Sequence, residues 1–225
     1  MANKCTISWT YKKSYKHNIW KNKKEMKIFC IKPGINLNLN NLIQSQSPIF
    51  YLKPDSSLLR NNEPFYIPHF TNYVECELQI VYRICKVGKN VATKFAHRYF
   101  DAIALGVNLI AKDLLDYCKI NGLPWEIANT FDNSLAISSF FDKTTFKNLN
   151  NINFSLYINE KKIQEASSSN FSKENIISYI SQFYTLKTGD YFCIAPPNIL
   201  PTKINIGDKV EAFLENNKVL SFLIR

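Results

Sequence analysis

Glu75 and Glu77 stand one residue apart in the run Val74-Glu75-Cys76-Glu77-Leu78. In an extended strand successive side chains point to opposite faces, so both carboxylates project from one face while Val74, Cys76, Leu78 and Ile80 project from the other. Two carboxylates about 6 to 7 Å apart, at an effective dielectric of about 20, repel by about 2.5 kcal/mol, and on a half-buried face they call for a cation. A hard, oxygen-seeking ion such as Mg2+ suits such a pair. The same spacing equally describes two glutamates on the wet face of an antiparallel strand, and spacing alone does not choose. A second segment, Val107 to Asp113, follows about thirty residues later and carries Asn108, Lys112 and Asp113.

Other chemistry-bearing residues form no recognisable constellation. The six cysteines, Cys5, Cys30, Cys76, Cys85, Cys118 and Cys193, contain no C-x-x-C pair, so neither a zinc site nor a disulfide framework is indicated. Of the three histidines, His17 lies in a basic leader, His97 reads as a packed or surface residue, and His69 precedes Glu75 closely enough to be a weak candidate base. No nucleophile elbow is present.

The elements that must position the glutamates read as mainly β. Strands are expected over Lys27 to Ile31, Pro48 to Leu52, Val74 to Ile84, Ile103 to Ile110 and Gly189 to Ala195, with an extended stretch at Phe65 to Ile67. Hairpins are expected at Phe154 to Glu165, turning at Asn159-Glu160, and at Lys209 to Ile224, turning at Asn216-Asn217. Helical spacing marks Ala92 to Asp101, Asp113 to Lys119, a short turn from Pro124, and a helix capped by Ser172 and running through Phe183. Pro196 to Ile206 reads as a loop, as does the asparagine-rich stretch from Pro33 to about Ser47.

The 225 residues, 46% of them hydrophobic and 14% aromatic, suffice for one domain with a well-buried core. No run approaches the length of a membrane span, and no apolar leader suggests secretion. The net charge of +10 is unevenly spread: residues 1–25 hold seven lysines and one acid, a net +6, leaving +4 for the rest. The body is therefore not strongly basic, and a solvated charge run is preferred to a nucleic-acid partner. We read residues 1–25 as an appended basic tail, 26–225 as the domain, and the scattered thiols as a mark of the cytoplasm.

Several blocks, taken in order, resemble the fumarylacetoacetate hydrolase family, especially its short single-domain bacterial members. They are MKIFCI at 26–31, FYLKPDSSLL at 50–59, PFYIP at 64–68, ECEL at 75–78, KFAHRYFD at 94–101, GLPWEIA at 122–128, YISQFYTLKTGD at 179–190 and IGDKVEAFLE from 206. The resemblance implies an α+β fold, a mixed β-roll or sandwich with a few short helices, often as a homodimer. It also implies Mg2+ or Mn2+ held by three carboxylates, with a small 2-oxo or β-diketo acid as substrate for C–C hydrolysis, decarboxylation or isomerisation. Glu75 and Glu77 match two of the metal carboxylates.

This chain departs from the family pattern at its chemical positions. The third metal carboxylate lies five residues before the aspartate of the Ala111-Lys112-Asp113 triplet, which places Asn108 there; an amide oxygen still coordinates hard ions, but one negative charge is gone. Lys112 replaces the triplet's substrate-contacting arginine, a point charge for a fork, and Leu115 stands where a glutamine is usual. The water-activating His/Glu dyad maps onto Asn38 and Asn41, neither able to take a proton near neutral pH. Asn129 holds the lysine position after P-W-E-I-A, and Ile194 to Pro197 replaces the T-G-T-P loop. The leading expectation is a family member with activity reduced or lost; an active divalent-metal-dependent hydrolase or isomerase is the alternative, and a binding or scaffold protein the third.

Overall fold

The computed structural model describes residues 26–32, 48–197 and 199–225. Two sheets face each other. The larger is built from β1 (Ile28–Lys32), β2 (Ile49–Lys53), β3 (Leu58–Leu59), β4 (Val74–Ile84), β5 (Phe100–Ala111), β6 (Leu135–Ile137) and β7 (Phe141–Asp142), joined later in the chain by two further strands. The smaller begins with β8 (Asn153–Ile158) and β9 (Lys161–Ser167). Next come β10 (Tyr191–Ile194) and β11 (Thr202–Ile204), which return to the large sheet, and β12 (Lys209–Leu214) and β13 (Asn217–Leu223), which complete the small one. The helices are α1 (Thr93–Ala96), α2 (Lys112–Ile120) and α3 (Lys173–Phe183). The large sheet runs in the order β2-β1-β10-β4-β5-β6-β3, with β11 also on β4 and β7 also on β5, and the small one in the order β13-β12-β8-β9. This is the mixed α+β architecture expected from the sequence.

The main core fills the space between the sheets. The apolar face of β4 (Val74, Cys76, Leu78, Ile80) meets Phe154 and Leu156 of β8 and Val210 and Ala212 of β12, while Ile176, Ile177 and Ile180 of α3 extend the same core. A smaller cluster lies on the opposite face of the large sheet, among Ile28, Cys30, Val81, Ala104, Leu135 and Cys193. Burial on both faces explains why β5 reads as an almost continuous apolar run, its alternation masked.

Local chemistry sets the element ends. Ser172 accepts from the Asn175 N–H at 3.2 Å and starts α3. Asn159 and Glu160 both take left-handed backbone, as a two-residue hairpin turn of the primed kind requires. Helical spacing over Ala92 to Asp101 yields only the single turn of α1: Tyr99 carbonyl accepts from Cys85 N–H, and Phe100 pairs with Ile84, so the ladder to β4 takes the residues that the pattern left to a helix. The last hairpin turns at Glu215-Asn216, one residue earlier than expected, since Leu214 pairs with Asn217.

The stretch Pro196 to Ile206, expected to be all loop, contains β11. β10 pairs with β4 from Arg83 to Ile80, and β11 resumes along β4 from Cys76 to Val74. Between them that edge of β4 has no strand. The side chain of Gln164, from the small sheet, takes the vacant place: its Oε1 accepts from Leu78 N–H at 2.8 Å, and its Nε2 lies 3.2 Å from Cys76 O and 2.9 Å from Leu200 O. Gln164→Leu keeps the shape but leaves a buried N–H and carbonyl unpaired, and it should lower unfolding free energy by about 2 to 3 kcal/mol in urea titrations; a loss within experimental error would show that water repairs the gap.

Candidate metal and substrate site

Glu75, Glu77 and Gln79 share the face of β4 that looks away from the main core, and Asn108 of β5 sits directly opposite Glu77 in the antiparallel register. Residues so placed have adjoining side chains. Glu77 is only 1% exposed, Asn108 likewise, and Glu75 is half-buried. Glu77 therefore does not lie on a wet face. Asn108 Nδ2 donates to the Tyr51 hydroxyl at 3.2 Å, while its Oδ1 has no donor. Gln79 Nε2 reaches Glu77 Oε2 at 3.5 Å, and its own Oε1 is also unpaired. Two buried acceptors without donors beside a carboxylate pair are what a hard cation or a protonated ligand would satisfy.

Two lysines serve this face. Lys32 Nζ, from the end of β1, lies 2.9 Å from Glu77 Oε1. Lys53, from the end of β2, is 2% exposed; its ammonium donates to Ser134 O at 3.0 Å, to Ser134 Oγ at 2.7 Å and to Asn129 O. Beneath the carboxylates Cys30 and Cys193 stand in register on adjacent parallel strands, next to Tyr51. Burial pushes the Cys193 thiol and the Tyr51 hydroxyl well up. Burial also opposes a thiolate at Cys30, yet a hydrogen bond from Cys193 and the Lys53 ammonium bring it below its ordinary value.

The remaining sequence-predicted residues have other engagements. Lys112 Nζ pairs with Asp116 one turn along α2, a hydrogen bond that raises its pKa. Asp113 is a clamp: burial works against its charge, but bonds from Thr71 Oγ1 and from the N–H groups of Asn72 and Leu114 hold its carboxyl below the usual range. Asn129 is buried, with Nδ2 donating to Trp125 O at 3.4 Å and its carbonyl taken by Lys53. Leu115 is half-buried on α2, and Ile194, Ala195 and Pro196 are buried with Pro197 exposed. His69 and His97 are exposed. Asn38, Asn41, His17 and the basic tail lie outside the described residues.

Sequence reasoning missed Lys32, Lys53, Tyr51 and Gln79. Gln79 is the next same-face residue after Glu77, and the alternation that found the glutamates also reaches it. Lys53 closes an otherwise apolar strand just before Pro54, a weak signal of a buried charge. Among the described residues no three His, Cys, Asp or Glu side chains converge; opposite Glu77 stands the amide of Asn108.

Residues 16–219 match the model for the fumarylacetoacetate (FAA) hydrolase C-terminal domain. The chain belongs to this family. Its members are metal-dependent hydrolases and isomerases of 2-oxo and diketo acids. The human mitochondrial oxaloacetate tautomerase FAHD1 is 30% identical over 180 residues, covering 79% of this chain and 80% of the relative. A mitochondrial oxaloacetate decarboxylase of Dictyostelium discoideum is 30% identical over 163 residues, covering 71% and 74%. Among solved structures, the Pseudomonas aeruginosa fumarylpyruvate hydrolase in complex with Mn2+ and pyruvate superposes with a TM-score of 0.77 at 20% identity, over 89% of each chain. Relatives from cattle, human, mouse and Arabidopsis are mitochondrial, which overturns the cytoplasmic reading: scattered thiols report a reducing compartment without saying which one. Among the described residues no helix is long and apolar enough to cross a membrane.

Burial lowers the Lys53 pKa from 10.5 to about 8. Below pH 8 the folded protein carries this charge in its interior at a cost; as pH rises from 8 to 10.5 the folded state gives up a proton that the unfolded chain keeps, and this group's contribution to stability grows. The full span is about 3 kcal/mol. Urea unfolding followed across that window should show a rise that Lys53→Met lacks, and parallel profiles for the two proteins would refute the assignment.

Proposed function

We propose that the platform of Glu75, Glu77 and Asn108 holds a divalent ion, Mg2+ or Mn2+, weakly, and binds a small 2-oxo or β-diketo acid on which C–C bond hydrolysis is reduced or lost. The observation that carries this reading is Asn108 Oδ1, a buried acceptor with no donor, set opposite the buried Glu77. A divalent ion there would polarise the 2-oxo group and screen the developing enolate charge. With an amide in place of the third carboxylate, the donor set carries two negative charges, and affinity falls accordingly. The Mn2+ and pyruvate of the Pseudomonas structure support the choice of ion and ligand class by analogy.

The chain's own residues divide the chemistry unevenly. Asn38 and Asn41, at the positions of the water-activating dyad, cannot take a proton from water, and loss of a general base alone costs a factor of about 100 to 10,000. Keto–enol exchange needs no activated water, only a proton moved at the carbon beside the 2-oxo group. A second reading therefore has a specific support: an active isomerase of this family, with oxaloacetate-like acids as substrates, as in the tautomerases about 30% identical to this chain. We further propose a homodimer, supported by the exposed apolar side chains of Tyr117 and Ile120 on α2 and of Leu123 and Ile127 just after it.

Acylpyruvate and fumarylacetoacetate with Mg2+ or Mn2+ should give no hydrolysis above the metal-only control, whereas oxaloacetate enol–keto exchange should exceed it. Clear hydrolytic turnover would refute the reduced-activity reading. Asn108→Asp should tighten Mn2+ binding about ten-fold by restoring a charge. Unchanged Mn2+ binding in Glu75→Gln, measured calorimetrically, would remove the platform from the mechanism.

A further inference from the structure

Glu77 is buried to 1% exposure yet keeps a charge partner, and among the described residues its one ion pair is with Lys32. The partner is of an unusual kind for a buried carboxylate. Lys32 is the last residue of β1, its side chain is 45% exposed, and only the tip of a four-carbon stem reaches in to Glu77 Oε1. Around that contact the platform is otherwise under-used. The Glu75 carboxylate makes no hydrogen bond or ion pair among the described residues, and the buried Asn108 Oδ1 and Gln79 Oε1 have no donor. The lysine thus satisfies one oxygen of a site with several acceptors to spare.

We propose that Lys32 is a tethered cation that competes with the divalent ion for Glu77, so that the ion binds only when the lysine arm swings out to solvent. This inference rests on the metal-platform reading above and adds to it the residue that sets its affinity. Charge counting carries it. Glu75 and Glu77 supply two negative charges; Lys32 leaves a net of one, and a divalent ion alone leaves none. Both together would place three positive charges against two negative ones on a poorly hydrated face that already feels the Lys53 ammonium, where like charges a few ångströms apart repel strongly. The two cations therefore exclude each other.

Asymmetry of the two partners allows the exchange. Glu77 is fixed within β4 between paired neighbours, whereas a lysine stem that is half in solvent changes rotamer readily and rehydrates its ammonium on leaving. The apparent dissociation constant for the ion is the intrinsic one divided by the fraction of molecules whose Glu77 is free. If the lysine is in place nine times in ten or more, its removal tightens binding by a factor of about ten or more.

The test is Mn2+ binding to the full chain, followed by calorimetry and by the spin-resonance signal of free Mn2+. Lys32→Met, which keeps the stem and removes the charge, should tighten Mn2+ binding about ten-fold or more relative to the parent, and Glu77→Gln should abolish binding in either background. Equal or weaker binding in Lys32→Met, with Glu77→Gln still abolishing it, would overturn the tethered cation and leave the metal platform standing. Mn2+ binding unaffected by Glu77→Gln, or absent from every variant, would overturn both. A measurement on the unmutated protein covers the case in which Lys32→Met fails to fold. Acylation of Lys32, followed by peptide mapping, should accelerate several-fold when saturating Mg2+ releases the ammonium, and an unchanged rate overturns the proposal.

Discussion

The ammonium of Lys53 is the contact on which the site depends. It lies inside the protein and, among the described residues, donates to the turn 129–134 alone, to Asn129 O and to Ser134 O and Oγ. Lys53 ends β2, at one margin of the large sheet, and Ser134 adjoins β6, near the other margin; residues 54–57 link β2 to β3 at that far margin, and the Lys53 ammonium ties the two margins together inside the curled sheet. Ser57 Oγ donates to Thr130 O, and Asn133 N–H donates to Ser56 O, along the same seam. A flat sheet would leave Glu77 and Asn108 in water. The curl brings Tyr51 over Asn108 and Lys32 onto Glu77, and so encloses the carboxylate face.

Enclosure makes charge expensive and therefore selective. An ammonium or carboxylate taken wholly or partly out of water must find partners nearly as good as water, and Lys53, Glu77 and Asp113 have each found a different kind. Lys53 is satisfied by neutral oxygens and is held fast. Glu77 is paired with the ammonium of a half-exposed lysine, Lys32. Asp113, at the mouth of α2, is satisfied by backbone N–H groups and a threonine hydroxyl, and it fixes the 71–73 loop that leads into β4. The carboxylate face is thus framed by fixed contacts on two sides and by one half-exposed lysine on a third.

Much of the frame was legible in the sequence. The alternation in β4, the Ser172 cap and the Asn159-Glu160 turn are local signals, and each produced the expected element. The paired glutamates were legible for the same reason, but their environment was not. Whether Glu77 is wet or buried depends on the curl, and the curl depends on a lysine whose acceptors lie more than seventy residues away. Pattern along the chain carries no information about such a partner. β11 was hidden because Thr-Lys-Ile between prolines and glycine is too short for periodicity to declare itself; its strand identity comes from the edge of β4. The extent of α1 was misjudged because Phe95, Tyr99 and Phe100 fit a helix by spacing, whereas Phe95 alone stays helical, Tyr99 bonds Cys85 and Phe100 pairs with Ile84. Compartment was beyond reach, since thiol chemistry distinguishes oxidising from reducing surroundings and nothing finer.

The interruption on the edge of β4 has a consequence for how this molecule can change over time. Gln164 bonds Leu78 and Cys76 from the opposite sheet and also reaches Leu200 O, so a single side-chain amide ties the edge behind Glu77 to the stretch that borders it. Ala195, bonded to Ile31 O, and Ile199, packed on the main core, fasten that stretch at two further points. A substitution at Gln164 therefore reaches the strand of the carboxylates, the small sheet and the bordering stretch together, and change at any one of the three is tied to the other two.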